Sequence, residues 1–116
     1  MQLASDSEST EIGIAVADLE ARCLHVNRKA ADLLGHSPEE LRRSTFFDLM
    51  PLEDVPGARE AVRRLVAREA AEVVIERRCL RGDGTSLQVR ATLALVEDAQ
   101  GRPWRVLGVI EDLTAR

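Results

Sequence analysis

Few side chains in this sequence could do chemistry. Cys23 and Cys79 lack a zinc-type spacing; they suit a reducing compartment and read as small, half-buried apolar residues. His25 sits in the short apolar run CLHV without a set of further ligands, so it reads as a surface or edge histidine and no metal is expected. The adjacent Glu39 and Glu40 could in principle serve as acid and base. They belong, however, to S-P-E-E at 37–40, a capping box in which Ser37 covers the Glu40 N–H, the glutamate reaches back, and Pro38 opens the helix. Gly82-Asp83-Gly84 is a hairpin tip, not a phosphate cradle, and no Ser/His/acid set stands at an informative spacing. These residues predict a chain that is not itself an enzyme.

The cations are nearly all arginine, with Arg-Arg pairs at 42–43, 63–64 and 77–78. Glu39, Glu40, Glu60, Glu69 and Glu76 interleave with them and the net charge is −4. A basic footprint for nucleic acid is therefore missing, and the pairs read as solvated helix and strand faces.

The elements that hold these residues follow from periodicity. IGIAVA at 12–17 and CLHV at 23–26 form a hairpin across the polar turn D-L-E-A-R. Asn27 can cap a helix of about two turns that buries Ala30, Ala31, Leu33 and Leu34 and stops at Gly35; a second begins at once behind Ser37. Isolated helices so short are not stable in water, so both must lie against something else, as a roof over a sheet. After Asp54, the residues Ala58, Ala61, Val62, Leu65 and Val66 recur at helical spacing, with Glu60 and Arg64 in favourable order on the outer face. Beyond residue 72 the period changes to two: VVIERRCL, LQVRATLALVED and WRVLGVIEDL read as three antiparallel strands. The expectation is an α+β domain, a five-stranded antiparallel sheet with short helices and one longer helix on one face. At 116 residues it is one domain with a single core: 1–11 a flexible or helical arm, 12–114 the domain, 115–116 the start of an outgoing linker. Apolar runs are far too short to span a bilayer and the acidic N-terminus lacks a signal peptide's basic region, so a cytoplasmic location is expected.

Four pieces in order, V-N-R-K-A-A-D-L-L-G-H-S-P-E-E-L at 26–41, L-E-D at 52–54, E-R-R-C-L-R-G-D-G at 76–84 and E-D-L-T-A-R at 111–116, resemble the PAS domain in its bacterial sensory S-box form. The resemblance runs from about Ile12 to Arg116. It implies a sheet with the second and third strands at opposite edges, which would put Cys23 and Cys79 out of disulfide reach. Two departures stand out. Ala21 replaces the glycine usual in the first hairpin turn, and because alanine at positive φ costs about 1 kcal/mol, another turn geometry is expected there. Leu87 stands where many relatives carry tryptophan.

The resemblance also bears on cofactors. Phe46 occupies the position of the cysteine used by flavin photosensors of the family, which argues against thiol-adduct chemistry. The long helix lacks the histidine of the haem sensors, which argues against haem by that route. What the family implies is a cavity, with Phe46, Leu49, Leu65, Val74, Cys79, Leu107 and Val109 as candidate lining, and a signal junction at Asp112 and Thr114 leading into an outgoing helix. Trp104 is expected to pack the end of its hairpin and not to stack on a ligand. Two functions follow as expectations. One is a sensory input domain that answers a small molecule or cue and relays it to a covalently linked output domain of a longer protein, with a two-component kinase among the candidates. The other is a ligand-free dimerisation module. A homodimer is expected in both, with neither membrane nor nucleic acid as partner.

Overall fold

The computed structural model describes residues 12–113. Strands β1 (Ile12–Ala17) and β2 (Cys23–Val26) form the first hairpin, followed by α1 (Arg28–Leu34) and α2 (Pro38–Arg42). Two 3-10 turns, Phe46–Leu49 and Leu52–Asp54, lead into α3 (Val55–Val66), and β3 (Glu72–Leu80), β4 (Ser86–Glu97) and β5 (Pro103–Asp112) complete the chain. The strands make one antiparallel sheet in the order β2-β1-β5-β4-β3. The helices cover one face of it, the expected α+β architecture. Cys23 and Cys79 sit on the two edge strands, buried and unpaired.

Local chemistry explains the first helices. The Asn27 side chain accepts from the Ala30 N–H at 2.8 Å and from the Ile14 N–H at 2.9 Å, so one carboxamide both starts α1 and fastens it to β1. Gly35 ends α1 in the left-handed region, and the Ser37–Glu40 capping box is closed in both directions. Gly13 makes the docking of α1 possible: a Cβ there would lie 2.7 Å from the Ala30 Cα, so only a bare backbone lets α1 approach this closely. Around this contact a cluster of Ala15, Val26, Leu33, Leu34, Leu41 and Ile110 closes the core.

Two expectations are corrected. Ala21 does adopt φ of +68°, so the turn keeps its left-handed geometry without glycine. The reason is local: Asp18 accepts from the Glu20 and Arg22 N–H groups, the Ala21 N–H donates to the Asp18 carbonyl, and the Phe46 N–H donates to the Ala21 carbonyl. The Ala21 methyl is meanwhile buried with Phe47 and Ala58. On α3, Glu60 pairs with Arg63 at 2.7 Å and not with Arg64, because Arg63 can also reach Glu69 at 2.9 Å beyond the helix end.

Candidate functional site

Strand alternation decides which side chains face the helices. On β3 the inward row is Val73, Ile75, Arg77 and Cys79; on β4 it is Val89, Ala91, Leu93; on β5 it is Val106, Gly108, Ile110. Opposite them stand the 3-10 turn Phe46–Leu49, Met50, and the Ala58 and Val62 side of α3. Between these layers lies a cavity of about 120 Å³. Its walls are small or aliphatic where the sheet crosses (Ala15, Ala17, Ala91, Gly108) and aromatic at the turn (Phe46, Phe47). The cavity exists because alanine and glycine occupy the strand positions beneath the turn, while Phe47 and Leu49 are anchored in the core and cannot collapse onto them.

The volume sets a scale. Engineered apolar cavities of about 150 Å³ take up benzene, whereas sites for drug-sized ligands start at roughly 300 Å³. The space therefore suits a body of ring size or smaller. Phe46 places a benzyl ring on the wall where the resemblance put the photosensor cysteine.

Of the expected lining residues, Phe46, Leu49 and Cys79 lie on the cavity wall. Val74, Leu107 and Val109 do not, because each is one residue out of phase with the inward row; Val74 is 55 % exposed on the opposite face. Leu65 is fully buried but belongs to a neighbouring cluster with Val73 and Val106. Parity alone excludes Val74, since it and Cys79 are an odd number of residues apart and cannot share a face of a regular strand. Burial raises the Cys79 thiol pKa to about 11, against a smaller downward pull from Arg81, so the thiol is neutral.

Sequence reasoning missed Arg77. The Arg77-Arg78 pair does not form one solvated face. Arg78 is exposed and pairs with Glu53 at 3.3 Å while also lining the cavity, whereas Arg77 is half-buried in the inward row. The alternation of Ile75 and Cys79 about it was the signal. Asp112 ends β5 opposite Val89, and the next N–H, of Leu113, donates to the Gln88 carbonyl at 2.9 Å, so the strand end is held to β4. Thr114, the arm at 1–11 and the linker at 115–116 lie outside the described residues.

His25 is exposed on the edge strand, and among the described residues there is no cluster of three or more metal-ligating side chains. Trp104 is half-exposed beneath the Arg105 guanidinium, 4.4 Å from its ring centre, away from the cavity. Among the described residues no helix is long and apolar enough to cross a membrane.

Comparisons with known proteins agree with this architecture. A family profile described as the PAS fold matches residues 7–116. A probable diguanylate cyclase of Escherichia coli K12, DgcE, is 30 % identical over 91 % of the chain but 10 % of its own length. The sensor histidine kinase TmoS of Ectopseudomonas mendocina is 24 % identical over 94 % of the chain and 11 % of its own length. The chain thus spans about a tenth of these longer proteins. Among solved structures, the PAS domain of a Colwellia psychrerythraea protein superposes with a TM-score of 0.84 at 22 % identity, covering 99 % of this chain and 97 % of that one. From the profile match, the sheet order and the helix-covered face together, the chain belongs to the PAS family.

Proposed function

We propose that this chain is a sensory input domain whose cavity takes a small ligand and whose last strand passes the result to an output domain in the same polypeptide. The observation that carries the reading is the apolar cavity of about 120 Å³, held open between the β3–β5 face and the Phe46–Leu49 turn. A ligand that fills it replaces missing dispersion contacts on every wall, which favours the arrangement of turn and sheet that fits it. The turn is tied to the first hairpin through the Phe46 N–H and Ala21 carbonyl, and β5 runs from the cavity floor at Ile110 to Asp112. A shift of the sheet is thus felt where the chain leaves it. Diguanylate cyclase and histidine kinase relatives make a catalytic output domain the leading partner, with the domain itself non-catalytic. The test is a toluene titration followed by amide chemical shifts. Shifts at Phe46, Cys79 and Ile110 that propagate to Asp112 support the relay; an unchanged spectrum refutes it.

A second reading is favoured by the opposite face. Ile12, Ile14 and Val74 are exposed there beside the Glu76–Arg90–Glu111 ionic row, with distances of 2.9 and 3.7 Å. Self-association through this face, in a reducing cytoplasm, gives a homodimer that acts without a ligand. Sedimentation of the wild type and Ile14→Glu separates the two readings: a dimer that dissociates in the variant favours this one.

A further inference from the structure

Around the cavity, hydrogen-bonding groups are turned to one another and away from the space. Its floor is a run of strands paired without a break beneath it: Gly108, whose backbone is bare on this side, stands between Ala15 of β1 and Leu93 of β4 in the two ladders. On the opposite wall the Phe46 N–H donates to the Ala21 carbonyl at 3.0 Å, and the Met50 N–H to the Phe47 carbonyl at 3.4 Å. Among the described residues, no hydroxyl, amide, carboxylate or imidazole side chain lines the space. The two arginines at its edge do not alter this. Arg77 Nη1 donates to the Glu76 carbonyl at 2.9 Å and its Nε has no exposed surface, while Arg78 reaches Glu53 at 3.3 Å. The exposed wall is therefore almost entirely apolar, and its heteroatoms are the Met50 thioether and the neutral Cys79 thiol, both weak hydrogen-bonding partners.

A polar group brought into such a space gives up water and gains no partner in exchange. Resting on the reading of the cavity as a ligand site, we infer that its ligand is an uncharged small molecule without hydrogen-bonding groups, chosen because the wall refuses polar molecules of the same shape. The cavity volume of about 120 Å³ limits that molecule to ring size or less. Exclusion of this kind has a known scale: an apolar pocket disfavours a molecule that carries one hydroxyl by about tenfold to a hundredfold.

The experiment is calorimetric titration of the chain with toluene, with phenol, which puts a hydroxyl where toluene has its methyl, and with benzoate. The expected result is that toluene binds about tenfold or more tightly than phenol and that benzoate does not bind. Ala91→Ser sets a hydroxyl on the cavity wall and should narrow the toluene-to-phenol ratio by about threefold or more, the contribution of one neutral hydrogen bond. Phenol binding as tightly as toluene, benzoate binding at all, or a ratio unmoved by Ala91→Ser overturns the assignment of an apolar ligand while leaving the cavity reading in place. If none of the three molecules binds, both readings fall. Should Ala91→Ser not fold, the wild-type ratio decides by itself.

Discussion

The two ends of the helical layer are built on opposite principles. Where α1 lies on β1, backbone meets backbone: Gly13 and Ala30 leave no space for one more carbon, and Leu41 is buried to 1 % exposure. Where the Phe46–Leu49 turn and α3 lie on β3–β5, side chains of similar apolarity enclose a void. Small residues serve both ends, so composition does not separate them. What differs is the partner: a small residue opposite a helix backbone closes the gap, and a small residue opposite an anchored aromatic leaves one.

The sharpest way to break this contrast is to remove atoms from the packed end. Leu41→Ala should cost about 2–5 kcal/mol in urea unfolding, because its surroundings are too interlocked to collapse. Gly13→Ala should cost about 1–3 kcal/mol, an addition of one methyl against the Ala30 backbone. If Gly13→Ala is silent, α1 can slide, and the packed end is looser than its distances imply.

A pH titration probes the cavity end. The Cys79 thiol has its pKa raised by desolvation from 9.0 to about 11. Between these values the unfolded chain loses the proton and the folded one keeps it, so this contribution to stability is whole below pH 9 and is lost as pH rises through about 11. Urea midpoints from pH 8.5 to 11 should fall more steeply for the wild type than for Cys79→Ala. Parallel curves would mean that water enters the cavity and hydrates the thiol.

Adding atoms to the cavity end should be nearly free. Ala91→Val places two carbons in empty space and is expected to change stability by less than about 1 kcal/mol, in either direction, while weakening toluene binding. A loss as large as that of Gly13→Ala would erase the distinction between the ends.

How far the sequence revealed these regions follows the same division. The packed end was legible because it is written in local signals: the Asn27 cap, the Gly35 stop, the S-P-E-E box and the 3.6 period act over a few residues. The strands were legible too, as elements. The faces of β3 and β5 were not, because both rows of each strand are mixed. On β5 the inward row of Val106, Gly108 and Ile110 contains a glycine, and the outward row places the apolar Leu107 and Val109 between Arg105 and Glu111. On β3 an arginine stands in the inward row. Which row is buried depends on where α3 and the 3-10 turn settle, a tertiary fact that period two alone does not carry. Holding Val74 against Cys79 would still have exposed the phase error.

Ala21 lies at the seam between the two ends, and its substitution gives the smallest expected effect. Its φ of +68° favours glycine, so Ala21→Gly relieves about 1 kcal/mol of backbone strain. The same change removes a buried methyl worth about 0.8 kcal/mol and loosens the unfolded chain by about 0.5–1 kcal/mol. These terms nearly cancel, and the variant should unfold within about 1 kcal/mol of the wild type. Its cavity should be larger, since the Ala21 methyl is part of the wall, and toluene should bind no less well. A clear gain in stability would show that the methyl contributes little packing and that only the Asp18 and Phe46 hydrogen bonds hold the turn. A clear loss would place Ala21 with Gly13 and Leu41, and move the boundary of the packed end across the hairpin to the edge of the cavity.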